Sequence, residues 1–312
     1  MMRTTQIALM AGSIAVLFAL PLAVKNDYVM TVLFLIFLYS TLANAWNISG
    51  GYTYQLNFGI SAAFGLGAYI TGYLLINGVN LVFAIFVSGA CAVLLGLTVA
   101  PLLRRLRAFY FALATTALAL IVEELFLNWS FLINVFGGST GFPLPYSPSL
   151  FSMVPLYYAA AIIATASFLL SYWLSHSNVR YVLAAIRSDE VAAQRIGIDP
   201  FRYKIFTLVL TSFLVGIAGG VYAYYSPFLD PNSVFDLVDW GIIPIFMVFI
   251  GGVGSLYGPI IGVVFFELLQ QILASNGPFL GVSLGVGIII VVLLMPGGIV
   301  FGARKLIHLI NG

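Results

Sequence analysis

The sequence predicts an all-α, polytopic membrane protein of about eight to ten transmembrane helices. Three observations carry that reading. The 312 residues are 62% hydrophobic and 7% charged, whereas soluble domains carry about 25% charged residues. Apolar segments of roughly 20 residues, long enough to cross a hydrocarbon core, recur from end to end. Tyr28 to Leu103 runs 76 residues without one Asp, Glu, Lys or Arg. A bilayer interior offers no water to backbone amides, so these spans are expected as helices. The alternating ten-residue strands of a barrel are not seen.

Ten candidate spans follow in order. The first, 6–24, follows Arg3. It is bounded by small residues and Pro21, and it reads as a retained span rather than a cleaved leader because more spans follow. Spans 28–46, 58–76 and 80–103 come from the charge-free run, and 108–133 holds Glu123 and Glu124. Spans 153–175 and 204–226 are continuous; 240–254 is short and interrupted by glycine, which allows a re-entrant segment. Span 258–275 carries Glu267, and 282–301 completes the set. The connection 134–152 is rich in Gly and Pro and predicts a rigid, turn-rich loop. The connection 227–239 holds Asp230, Asp236 and Asp239 without Lys or Arg; it reads as a solvated loop, the alternative being an edge that attracts a basic partner. Cys91, the single cysteine, excludes an internal disulfide and reads as packing within a span.

Charge sets the orientation. With the N-terminus inside, the inner segments collect eleven of the twelve Lys and Arg residues, and only Lys25 falls outside. Both termini are therefore expected in the cytoplasm of a bacterial-type inner membrane.

Residues 176–204 form a polar island. Arg180, Arg187, Asp189, Glu190, Arg195, Asp199, Arg202 and Lys204 are eight of the chain's 22 charged residues. Ser188 is positioned to cap a helix over 189–196, with Asp189 and Glu190 in its first turn and Arg195 near its last. Gly197 suits a left-handed stop, and Pro200 prevents continuation. So short a helix is marginal alone and needs packing partners. The plain reading is a solvated connector; the sharper one is a docking peg for a soluble partner.

The string Glu190-Val191-Ala192-Ala193-Gln194-Arg195-Ile196-Gly197 resembles the EAA---G pattern of ABC importer permeases. The stretch Leu183-Ala184-Ala185-Ile186-Arg187 through Ala218-Gly219-Gly220-Val221-Tyr222-Ala223 is similar to branched-chain amino-acid permeases of the LivM type. Three further blocks agree: Phe58 to Tyr69, Leu106 to Thr115, and Gly251-Gly252-Val253-Gly254-Ser255-Leu256-Tyr257-Gly258-Pro259. Gly137-Gly138-Ser139-Thr140-Gly141 fits the family's outer-loop glycines. The resemblance covers about residues 45–300. Two departures stand at the start of the third span. Asn57-Phe58-Gly59-Ile60-Ser61 replaces a Ser-Leu-Gly-His type string, and Tyr54 stands where the family often has Gly.

The resemblance implies one permease domain over 1–312, with a short cytoplasmic coupling helix in the 176–204 loop. Arg187, Glu190, Ala193, Arg195 and Gly197 would meet the ATPase. The implied partners are two cytoplasmic ATPase subunits carrying ATP–Mg, a sister LivH-like permease and a periplasmic substrate-binding protein. A small-molecule substrate and the lipid bilayer complete the set, with no nucleic acid. The chain itself has three lysines, none closing a phosphate-cradling Gly-rich string, and no HExxH, CxxC or nucleophile elbow, so no catalytic or metal site is expected on it. His176 and His308 read as interfacial.

Candidate residues for a translocation path are Gly59, Ser61, Phe64, Gly65, Thr115, Glu123, Gly252, Gly254 and Glu267. Glycine-broken spans over 58–69 and 251–258 could present backbone groups to an amino acid, or serve only close helix packing. Glu123 and Glu267 are candidates for a proton relay or an ammonium site, and equally for interhelical hydrogen bonding. Competing functions are a permease for urea, amides or sugars, and a proton-coupled secondary transporter.

Overall fold

A computed structural model of the chain describes residues 12, 17–21, 26–106, 108–144, 153–273, 285 and 297–302. Among these, six helical stretches are long and apolar enough to cross a membrane: Asp27–Gly51, Leu81–Arg105, Ala108–Asn128, Met153–His176, Pro200–Tyr225 and Pro231–Gly251. Two shorter apolar helices, Ile60–Ile76 and Gly258–Leu273, pack among them. The chain is an all-α multi-pass membrane protein. The expected spans 6–24 and 282–301 lie largely outside the described residues. Residues 17–21 of the first are helical, and the hydroxyls of Tyr157 and Tyr158 donate to the carbonyls of Leu17 (2.6 Å) and Phe18 (3.2 Å).

Helix α1 (Asp27–Trp46) starts on an Asn26 cap and runs into a π-helical turn, Asn47–Gly51. Its second half is buried on all sides, including Ser40, Thr41 and Asn44, so it is the central post of the bundle. Helix α2 (Ile60–Ile76), α3 (Leu81–Val99) and its short continuation α4 (Leu102–Arg105) follow. Next come α5 (Ala108–Asn128) and α6 (Ser130–Phe136). After them β1 (Phe142–Pro143) pairs antiparallel with β2 (Phe228–Leu229), a two-residue ribbon joining two loops. Helix α7 (Met153–His176) leads to α8 (Val179–Ser188), α9 (Glu190–Arg195) and α10 (Pro200–Tyr225). Helix α11 (Pro231–Val234), a second π turn (Val238–Ile242), α12 (Ile243–Gly251) and α13 (Gly258–Leu273) end the described bundle.

Several expectations are corrected. Span 108–133 is not continuous: Trp129 takes extended backbone, and Asn128 turns its amide back onto the Glu124 carboxylate at 2.6 Å. Span 58–76 is not broken by its glycines, because α2 is regular from Ile60. The unwound stretch is 54–59, just before it. Helical structure also begins earlier than 240, at Pro231, so that span is a full-length run of short helical pieces rather than a short re-entrant one. The acids of 227–239 remain solvent-accessible, and two of them also cap local turns. Asp230 caps α11 by accepting from Ser233 N at 3.0 Å, and Asp236 accepts from Asp239 N at 2.7 Å.

Close helix approach explains where the glycines fall. A Cβ on Gly219 of α10 would strike the backbone carbonyl of Phe64 on α2, and one on Gly67 of α2 would strike that of Gly216 on α10. On its other side α10 seats Gly216 against Ala92 of α3, where Ser88 Oγ donates to the Gly216 carbonyl at 3.3 Å. Small residues let backbones meet where lipid supplies no hydrophobic drive between helices. A Gly219→Val variant should therefore lose about 1–3 kcal/mol of stability through overpacking. The check is the thermal midpoint of the detergent-purified chain; an unchanged midpoint would show that α2 and α10 are not in backbone contact.

Candidate functional site

The irregular backbone of the bundle gathers around the island end of α1. The unwound segment 54–59 is held by side chains from three directions. Trp46 Nε1 donates to the Asn57 carbonyl at 2.7 Å. Thr115 Oγ1 of α5 accepts from Phe58 N at 3.1 Å, and Asn57 Oδ1 accepts from Gly59 N at 2.9 Å. Gly59 is required here, since a Cβ would hit the Thr115 carbonyl. Thr207 of α10 donates from its hydroxyl to Gln55 Oε1 at 3.3 Å.

Expected path residues Gly59, Ser61, Phe64, Gly65 and Thr115 do come together in the fold. Ser61 is fully buried with its hydroxyl unpartnered. Phe64 stacks on Trp240 beside the second π turn, with ring centroids 4.2 Å apart, and Gly65 gives way to the Phe235 ring. Thr115 and Gly59 also line a void of about 20 Å³ between α2, α3, α5 and α10. That void holds about one water molecule. Single-turn π segments such as 47–51 and 238–242 recur at functional sites.

Gly252 and Gly254 form a second locus at the α12–α13 turn, with positive φ of 123° and 78°. The Asn47 side chain of the first π turn clasps this locus: its Nδ2 donates to the Ser255 carbonyl at 3.0 Å, and its Oδ1 accepts from Gly254 N at 2.8 Å. Segment 297–302 returns to the same turn, Gly298 lying against Gly252. Glu267 lies apart on α13, 2% exposed, with Oε1 unpartnered. Glu123 sits half-buried on α5. The nine residues thus form one cluster, one turn and two separate carboxylates.

The island builds as the sequence predicts, with one change of cap. Asp189, in extended backbone, accepts from Val191 N (2.9 Å) and Ala192 N (3.0 Å), while Ser188 ends α8. A carboxylate able to take both amides displaces a hydroxyl from that role. Gly197, at φ 86°, donates from N to the Gln194 carbonyl (3.0 Å), and Ile198 N donates to the Ala193 carbonyl (3.1 Å). These two bonds stop the helix in a Schellman turn. Asp199 caps α10, and Pro200 opens it. Ala193 is buried, whereas Arg187 and Arg195 are exposed. Glu190 is not left free for a partner: its Oε2 lies 2.5 Å from Lys204 Nζ on α10, the lysine only 12% exposed. Arg104 stacks over Phe201 at 3.9 Å and ties α4 to the same helix start.

Sequence reasoning missed Asn47, Gln55, Thr207 and Lys204 as organising residues. The available signal was polar side chains inside an otherwise apolar run, Asn47 above all.

Residues 28–296 match the family described as branched-chain amino acid transport system / permease component. The chain belongs to this permease family. The permease is 22% identical over 306 residues, 88% of its length and 70% of the other's, to the high-affinity branched-chain amino acid transport system permease protein LivM of Escherichia coli (strain K12). It is 25% identical over 309 residues, with the same shares covered, to the LivM protein of Salmonella typhimurium (strain LT2). A probable branched-chain amino acid transport permease protein LivM of Methanocaldococcus jannaschii is 29% identical over 170 residues, 52% of this chain and 47% of that one. No solved structure matches the permease.

The departure at Tyr54 has a backbone consequence. Tyr54 stands at φ 57°, in the left-handed region, with its ring 56% exposed beside the island. Left-handed backbone costs a side-chain-bearing residue roughly 1–2 kcal/mol. Tyr54→Gly should raise the thermal midpoint by the equivalent of about 1 kcal/mol, whereas Tyr54→Val should lower it. The opposite order in a thermal melt would refute a left-handed residue 54.

Proposed function

We propose that the permease is a transmembrane subunit of an ABC importer for branched-chain or related amino acids, driven by separate ATPase subunits through alternating access. The observation that carries this reading is the Glu190–Lys204 link. It joins the six-residue helix α9, which presents Arg195 to solvent beside the exposed Arg187 of α8, to the base of a 26-residue span. A push on α9 therefore acts on α10. Helix α10 meets α2 backbone to backbone at Gly219 and Gly67, and it bonds the unwound segment through Thr207 and Gln55. Packed interfaces transmit such displacements because they switch between discrete arrangements.

In this reading Arg187, Glu190, Ala193, Arg195 and Gly197 shape the docking surface for two ATPases that carry ATP–Mg. A LivH-like sister permease completes the pathway, and a periplasmic binding protein delivers substrate. The membrane is the bacterial inner membrane, with both termini cytoplasmic. Gly59, Ser61, Phe64, Gly65 and Thr115 border the path, and closure there is the resting arrangement. Substrate choice rests with the binding protein, which leaves urea, amides and sugars as the alternative cargo. A proton-coupled transporter is the second reading, favoured only by the unpartnered Oε1 of Glu267.

Affinity purification of the tagged chain from native membranes should recover two ATPases and a second permease. Lys204→Met should leave those companions bound and cut ATP-driven uptake in reconstituted liposomes at least about tenfold, equivalent to ~1.4 kcal/mol. Glu190→Arg, which sets two cations face to face, should release the ATPases. Solute accumulation by the chain alone, without nucleotide, would overturn the proposal.

A further inference from the structure

At the island end, a cleft of about 440 Å³ opens between the end of α7, helix α8 and the 254–257 turn. Its polar wall is Tyr52, His176, Arg180 and Arg187. Its apolar floor includes Leu183, Leu256 and Phe301. No Asp or Glu lines it. All ten acids of the sequence are among the described residues, and the ion pairs formed there are Arg202–Asp199 and Lys204–Glu190. Asp189 and Glu190 lie two and three residues after Arg187, yet one caps α9 and the other holds Lys204, and neither forms an ion pair with it. Arg180 makes a single long contact, 3.4 Å from Nη1 to the Ser175 carbonyl. An Arg187 terminal nitrogen rests against Gly254, where a Cβ could not fit. The Tyr52 hydroxyl is buried without a partner.

We infer that this cleft binds the phosphate headgroup of an anionic phospholipid, its acyl chains lying on the apolar floor. Two guanidiniums free of carboxylates match a phosphate, and the Tyr52 hydroxyl supplies a neutral donor. The mixed lining distinguishes an amphiphile from an acidic side chain, which would need no apolar floor. Helix α8 buries Leu183 and Ile186 and exposes Arg180, Tyr181 and Arg187, as an interfacial helix does. Basic clefts between spans at the cytoplasmic leaflet are suited to anionic headgroups. From the proposed function the inference takes only that this end faces an anionic leaflet. Lipid binding is read without nucleotide or transport, so a failure of coupling leaves it standing.

The test is native mass spectrometry of the full-length permease in mild detergent, with phosphatidylglycerol, phosphatidylcholine or inorganic phosphate added. One tightly held phosphatidylglycerol, preferred over phosphatidylcholine, is expected. The double variant Arg180→Gln/Arg187→Gln should bind it roughly thirtyfold more weakly, the effect of two interfacial arginines. Arg105→Gln, a basic residue outside the cleft, should bind as the parent does. Should the Gln pair fail to fold, Arg180→Lys/Arg187→Lys keeps the charge without the fork and should still show a weakened preference. Equal affinity for the two lipids, or undiminished binding by the double variant, would overturn the inference. Displacement by millimolar inorganic phosphate would reassign the cleft to free phosphate. Loss of ATPases from the double variant with lipid still bound would reassign it to a protein partner.

Discussion

Backbone amides inside a bilayer must find partners within the protein, because hydrocarbon offers none. This chain unwinds at 54–59 and again at 252–257, and side chains meet the resulting demand. Asn47 serves the second break with both ends of its amide; Trp46, Asn57 and Thr115 serve the first. Ser255 donates to the Gly252 carbonyl at 2.7 Å and accepts from Gly258 N at 3.0 Å. Thr211 of α10 donates to the Ala45 carbonyl at 2.8 Å, just ahead of the first π turn. Two irregular segments are thus tolerated because α1 stands between them and lends polar side chains from its last turns. The burial of the second half of α1 follows from that position.

Most helices were legible from the sequence because a span is written in bulk hydropathy. The expected 153–175 and 80–103 sit at Met153–His176 and Leu81–Arg105. The island was equally legible: Gly197 at positive φ and Pro200 at the start of α10 follow from backbone chemistry that depends on no distant neighbour. What failed depended on tertiary context. Glycines in 58–76 left two readings open, broken backbone or close packing, and only the facing helix settles that they are contact points. Ser188 lost the cap to Asp189, the better acceptor one residue along.

Of the candidate site, the part drawn from one contiguous block held together, and the part drawn from scattered carboxylates did not. Gly59, Ser61, Phe64 and Gly65 share one helix start, so any fold that forms α2 groups them. Thr115 joined them through a hydrogen bond to Phe58 N that no local pattern announces. Glu123 and Glu267 lie on different helices, α5 and α13. An acid in an apolar span signals cost, and the cost alone does not say what relieves it.

The mechanical consequence is that both irregular segments are touched by one stretch of chain, from α8 to α10. Arg187 of α8 reaches the Gly254 turn, while Thr207 of α10 reaches Gln55 in the unwound segment. Between them α9 is bound on one side by its own Schellman turn and on the other by Lys204. A peg fastened only to a flexible loop would absorb a displacement. In the proposed function, α9 is fastened at Lys204 and joined to α8 through the extended Asp189, so a displacement would pass toward both breaks. Those breaks flank the same π turn of α1, so movement of the island changes the two walls of one post rather than two unrelated sites. That geometry favours a concerted opening at the island end over independent motion of α2 and α12.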